Sequence, residues 1–155
     1  MKIAITQGSG CGRTDISAFH SALSCAGIGG YNLLFLSSIL PPGSQVSTGK
    51  FEAPPDDFGR RMYVVLSRGY ARRQGEQVWT GLGCRWESSS GRGVIAEASA
   101  LTRKKLVSNL GAALDDMYVA ELDTHWEQVL QTQPAECSGD VACAVVAAVF
   151  GIEPW

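Results

Sequence analysis

The longest apolar stretch of the chain, Val141 to Gly151, constrains its fold more than any other feature. It is too short to cross a membrane as a helix, which takes about 20 residues. Its residues are small, β-branched and apolar, so Val141–Phe150 reads as a central strand rather than a helix. A chain of 155 residues is enough for one domain with a sizeable core, so residues 1–155 are expected to form a single unit around that strand. Hydrophobic residues at 45% against charged residues at 18% favour a folded chain over a disordered one.

The rest of the chain supplies partners for it. Residues 2–7 read as an opening strand, followed by a flexible turn at Gly8-Ser9-Gly10-Cys11-Gly12. Thr14 or Asp15 can cap a helix whose apolar positions are Ile16, Phe19, Leu23 and Ala26. Tyr31–Leu36 reads as a buried strand, ended by Ser37-Ser38-Ile39-Leu40-Pro41-Pro42, since two prolines continue neither strand nor helix. Residues 43–60 look like a long exposed loop. Met62–Ser67 and Gln77–Trp86 read as strands separated by a solvated basic turn with Arg68, Arg72 and Arg73. Gly93 to about Leu110 reads as a helix, Tyr118–Leu122 as a strand, and His125–Gln131 as either a helical turn or a strand end. The resulting order, βαβ–ββ–αββ, suits an α+β layered domain with helices outside sheets.

Several functions are disfavoured. A formal net charge of −2 provides no positive field for nucleic acid or an anionic membrane. The N-terminus lacks the apolar run of a signal peptide, so a cytoplasmic protein is expected. Five cysteines in odd number and without a C-x-x-C pair point to a reducing compartment, each thiol acting as a small buried hydrophobe. Gly8-x-Gly10-x-Gly12 hints at phosphate binding, but Arg13 breaks both the dinucleotide and the P-loop spacing, so a plain connection is expected. His125 has no ligand-spaced partner, and no metal site is expected. Trp79 and Trp86 are read as packing between sheets or across a subunit interface.

One segment carries more specific information. Ala18-Phe19-His20-x-Ala22-Leu23-x-x-Ala26-Gly27-Ile28, then Tyr31-Asn32-Leu33, then Leu36-Ser37-Ser38-Ile39-Leu40-Pro41-Pro42, resembles the pyruvoyl-dependent arginine decarboxylases. The match is ungapped over residues 12–42, and its Ser-Ser-Ile-x-Pro-Pro element is specific. The resemblance implies a layered α/β sandwich of the pyruvoyl-dependent histidine and arginine decarboxylase type, assembled as trimers or hexamers with active sites between subunits. It also implies that the precursor cuts itself between Ser37 and Ser38 into a β chain, 1–37, and an α chain, 38–155. The Ser38 hydroxyl attacks the Ser37 carbonyl, elimination releases the Ser37 carboxylate, and hydrolysis leaves a covalent pyruvoyl group at position 38. That ketone forms a Schiff base with the substrate amine and serves as electron sink, the role PLP plays elsewhere.

The same resemblance implies roles for other residues. Asn32 matches the asparagine that assists cleavage by hydrogen bonding the carbonyl. Ile16, His20, Tyr31 and Ile39 are candidates for substrate binding. The acid that protonates the carbanion is a glutamate on the strand before the second long helix. Here Glu87 is favoured for it, with Arg85 at the position under a two-residue shift. His20 stands where the arginine enzymes carry an aspartate, with Asp15 one turn earlier as a possible substitute. Arginine is the default substrate by family alone, and because a histidine cannot offer guanidinium the same salt bridge, another amino acid or an amino-acid-bearing molecule is plausible. The alternative is a catalytically silent homologue that serves as an oligomeric binding or scaffold protein.

Overall fold

In the computed structural model, which describes residues 1–117 and 125–155, the apolar run lies in strand β9 (Val141–Glu153). It is the middle strand of a sheet with β1 (Lys2–Gly12), β2 (Asn32–Phe35), β4 (Gln45–Thr48) and β5 (Arg61–Ala71), ordered β2-β5-β9-β1-β4. Cys143, Val145, Ala147 and Val149 pack under helix α1 (Asp15–Cys25). Val146 and Ala148 face the other way, onto Leu82, Cys84 and Ile95 of a second sheet. A strand covered on both faces can be apolar at every position, which accounts for the missing alternation.

The second sheet contains β3 (Ile39–Leu40), β6 (Gln77–Glu87), β7 (Gly93–Ala100) and β8 (Trp126–Glu136), ordered β3-β7-β6-β8. Helix α2 (Arg103–Asp116) covers its outer face, setting the fully buried Leu106, Leu110 and Leu114 on Val94 and Ala96. Each such leucine contributes about 1.5–3 kcal/mol by burial. The layers run helix, sheet, sheet, helix, which is the expected α+β sandwich. No helix among the described residues is long and apolar enough to cross a membrane.

The glycine turn after residue 7 is instead strand. β1 continues through Gly12, with Gly8, Gly10 and Gly12 opposite Val145, Cys143 and Val141 of β9. Their spacing of two puts all three on the face beneath α1. A Cβ on Gly8 would lie 2.4 Å from the Ala22 carbonyl oxygen, and one on Gly10 2.6 Å from the Ala22 nitrogen. The glycines let helix and strand backbones touch, and the helix meets them with Ala18, Ala22 and Ala26. This close approach also leaves no anion cradle. It revises the buried stripe of α1: Ile16 is 72% exposed, and small residues occupy the contact. Thr14 caps the helix in a capping box with Ser17.

A second revision moves the helix expected at 93–110. Residues 93–100 are β7, and α2 starts after Thr102, whose hydroxyl accepts from the Lys105 N–H. Alanines at 96, 98 and 100 are compatible with either period, so Ile95, Ala98 and Leu101 mimic a helical face. In the fold Ile95 faces between the sheets while Val94 and Ala96 face α2. Tyr31–Leu36, expected to be buried, contains the edge strand β2, with Phe35 62% exposed. The loop of residues 43–60 includes β4, parallel to β1, and a 3₁₀ turn at Pro55–Asp57. The strand expected at Tyr118–Leu122 lies outside the described residues. Trp79 and Trp86 are seven residues apart and so lie on opposite faces of β6, toward α2 and between the sheets respectively. Cys84, Cys137 and Cys143 are buried as expected, whereas Cys11 and Cys25 are exposed.

Candidate active site

Ser37 and Ser38 lie where the chain passes from one sheet to the other. β2 is an edge strand of the first sheet and β3 an edge strand of the second, so Leu36-Ser37-Ser38 bridges the sandwich. The bridge is pinned at both ends: the Leu36 N–H donates to the Val64 carbonyl at 2.9 Å, and the Ile95 N–H to the Ser38 carbonyl at 2.8 Å. Between them, the Ile39 N–H donates to the Ser37 carbonyl at 2.8 Å, making Ser38 the centre of a γ-turn. Among the described residues no non-glycine residue has positive φ, so this is the common inverse form.

The Ser38 hydroxyl donates to Glu97 Oε1 at 2.5 Å. Glu97 is on β7, opposite Leu82 of β6, and shares the strand face of Ile95 that points between the sheets. Ser38 is half-buried, whereas Ser37 and Glu97 are exposed at the open edge of the sandwich. Leu36, Ser37, Ile39 and Pro41 also line, with Tyr63 and Phe150, a solvent-open pocket of about 490 Å³. A serine hydroxyl against a carboxylate, next to a carbonyl already hydrogen-bonded by a backbone amide, is an arrangement suited to attack on that carbonyl.

The fold disperses most other residues implicated by the sequence. Asn32 starts β2, where its Nδ2 donates to the Gly59 carbonyl at 2.6 Å, an oxygen that also accepts from Trp155 Nε1 at 2.8 Å. Five residues of extended chain, roughly 16 Å, separate it from Ser37. Glu87 ends β6 almost fully buried, accepting from Ser90 Oγ and from Arg92 Nε and Nη2 at 3.4 Å. Arg85 reaches the C-terminal end of α2: it donates to the Leu114 carbonyl at 3.1 Å, pairs with Asp115 at 2.9 Å and lies over the Trp126 ring. Glu87 shares the strand parity of Arg85, so neither lies on the Ser38 side of the sheet.

Ile16 and His20 are exposed on α1, in a different layer from Ser38. Tyr31 packs edge-on to Phe51 and donates its hydroxyl to Asp57 at 3.3 Å; burial and then Asp57 push its pKa up. Ile39 is 56% exposed beside Ser38. Asp15 is held bidentately by Arg72, at 3.1 and 2.6 Å, and that hydrogen bonding keeps its carboxyl below the usual carboxylate range. It is thus occupied within its own chain. The arginines expected in a solvated turn are likewise engaged, and β5 runs on through Ala71 so that Arg68 is on the strand: Arg72 also lies over the Tyr70 ring, and Arg68 over Phe19.

A family model described as pyruvoyl-dependent arginine decarboxylase matches residues 2–153. The chain belongs to that family. Among curated members, the pyruvoyl-dependent arginine decarboxylase of Methanothermobacter thermautotrophicus is 36% identical over 103 residues, covering 66% of this chain and 64% of that protein. The enzyme of Methanopyrus kandleri is 30% identical over 96% of this chain and 95% of its own length. Pyruvoyl-dependent arginine decarboxylase 1 of Methanosarcina acetivorans is 27% identical over 96% and 94%. The first of these alignments therefore spans just under two thirds of its relative, and the other two span nearly all of theirs. The family's prosthetic group is a covalently bound pyruvoyl, and a serine at a pinned, half-buried turn with a carboxylate on its hydroxyl fits that origin.

Glu97 was not among the candidates from sequence. Its signal lay in Val94-Ile95-Ala96-Glu97-Ala98-Ser99-Ala100, where strand and helix periods are equally satisfied. Once 93–100 is a strand, the strand before the second long helix is β7, and its one glutamate is Glu97.

Proposed function

We propose that this chain is a self-maturing, pyruvoyl-dependent amino-acid decarboxylase, with arginine as the default substrate. The observation that carries the reading is the Ser38 hydroxyl bonded to Glu97 at the sheet-to-sheet crossing. In maturation, Ser38 Oγ forms a bond to the Ser37 carbonyl carbon, the Ser37–Ser38 amide breaks, and the hydroxyl proton ends on the Ser38 nitrogen. Elimination then removes the Ser38 α-proton and frees Ser37 as a carboxylate, separating residues 1–37 from 38–155, and water converts the dehydroalanine left at 38 into the pyruvoyl group with release of ammonia.

The pyruvoyl group supplies an electron sink for the carbanion left when carbon dioxide departs. Glu97, already against the side chain from which the group derives, is the acid that protonates that carbanion. This transfers to Glu97 the role expected of Glu87.

Substrate recognition is shared between subunits of a trimer or a hexamer. The support is that Ile16 and His20 face outward on a layer that does not reach Ser38 of the same chain. In addition, Leu34, Phe35, Leu36 and Ile39 expose apolar surface along the crossing. Asn32 then serves the Ser37 carbonyl of a neighbouring subunit rather than its own. Five free cysteines support a reducing, cytoplasmic setting.

A denaturing mass spectrum tests the maturation. The wild-type protein is expected as two species, 1–37 and a blocked 38–155, with turnover of arginine. Ser38→Ala is expected as one whole, inactive chain; a cleaved, active Ser38→Ala protein would overturn the reading.

A further inference from the structure

We infer that the backbone N–H of Ile39 is an oxyanion donor for self-cleavage, acting on the Ser37 carbonyl of its own chain. The inference rests on the maturation reading above and adds to it the group that stabilises the charge developing in the first bond-making step.

The register of the second sheet dictates where this N–H points. Ile39 pairs with Val94 and Leu40 with Gly93 in an antiparallel ladder, and the Ile95 N–H donates to the Ser38 carbonyl. A bond from the residue after Val94 to the residue before Ile39 marks Ile39–Val94 as a non-hydrogen-bonded pair. In such a pair both N–H groups point away from the partner strand. β3 is the edge of its sheet, so no strand among the described residues lies on its other side. The amide of Ile39 is therefore released from the ladder by register and turns back onto the Ser37 oxygen at 2.8 Å.

That oxygen is where negative charge gathers. When Ser38 Oγ bonds to the Ser37 carbon, the carbonyl π pair moves onto oxygen. Collapse of the adduct then expels the Ser38 nitrogen, which takes up the hydroxyl proton. A donor placed before the attack needs no reorganisation during it, and this is the property that gives oxyanion donors their effect. Ile39 stays on the chain that carries the Ser38 ester oxygen, so donor and acyl group remain on one polypeptide after the amide has broken. Asn32, tied to Gly59 at the far end of β2, does not reach this oxygen within the chain.

The test is the cleavage rate of freshly purified precursor, followed by denaturing mass spectrometry. The proteins compared are wild type, Ile39→Val, Ile39→Pro and a chain with the α-hydroxy analogue of isoleucine at 39. Valine keeps the N–H and is the side-chain control against which loss of the N–H is read. Proline and the backbone ester both remove the N–H and are expected to slow cleavage by about 10²–10³-fold, the usual loss for one oxyanion donor. Proline breaks no ladder bond at this position. The ester preserves strand geometry and so keeps the test decisive should the proline variant misfold. An ester variant that is folded by circular dichroism and cut at the wild-type rate overturns the inference while leaving maturation intact. A wild-type chain that stays whole overturns both.

Discussion

Exchanging the two glutamates separates catalysis from architecture. In Glu97→Gln the amide oxygen still accepts from the Ser38 hydroxyl, so cleavage is expected to proceed, but no proton can be delivered to the carbanion. Loss of a general acid lowers turnover by about 10²–10⁴-fold. At about 1.4 kcal/mol per decade, that is roughly 3–5 kcal/mol of transition-state stabilisation. Glu97 is exposed, so the variant's folding stability should stay within about 0.5 kcal/mol of wild type. Glu87→Gln should behave in the opposite way. Its carboxylate is 6% exposed and holds Ser90 and Arg92 at the β6–β7 turn. Weakening those bonds costs about 1–3 kcal/mol, which for a chain of this size lowers Tm by roughly 2–12 °C. The assay is carbon dioxide release from arginine, normalised to the cleaved fraction by mass, with a calorimetric melt of each protein. Loss of kcat in Glu87→Gln at an unchanged Tm, with Glu97→Gln fully active, would refute the assignment.

Two further outcomes test the packing. Gly10→Ala places a methyl 2.6 Å from the Ala22 nitrogen, so overpacking should destabilise the fold by about 1–3 kcal/mol, read as a lowered Tm. An unchanged melt would mean that α1 does not sit on β1 as described. Burial pushes the Cys84 thiol to about 12 and the Cys143 thiol to about 11. Iodoacetamide near pH 8 should therefore modify at most Cys11 and Cys25 in the native protein and all five after unfolding, counted by mass. Native labelling of Cys84 would contradict its place between the sheets.

Local pattern was enough to read several features from the chain alone. Val141–Phe150 announces a strand covered on both sides because every residue in it is apolar, and β9 is that strand. Thr14, one of the two neighbouring residues read as a possible cap, is the cap of α1. The Ser37-Ser38-Ile39-Leu40-Pro41-Pro42 element marked the family, to which residues 2–153 belong. Each of these depends on residues within one turn or one strand of each other, where sequence distance and spatial distance agree.

The functional geometry depended on pairings that a window of sequence does not contain. Gly8, Gly10 and Gly12 look like a turn until α1 folds back over β1, when they become a surface on which the helix backbone rests. Glu87 and Glu97 are ten positions apart on two strands of one hairpin, and either could have met Ser38. Register decides between them: Leu82 opposite Glu97 and Ile95 bonded to Ser38 bring Glu97 to the hydroxyl, while Glu87 ends at the hairpin turn on the other face. A shift of one residue in a strand reverses every side chain on it. The sequence by itself therefore determined that a serine pair would sit at the end of a strand in a two-sheet domain. Only the tertiary pairing of β3 with β7 decided which carboxylate and which backbone N–H that pair would face.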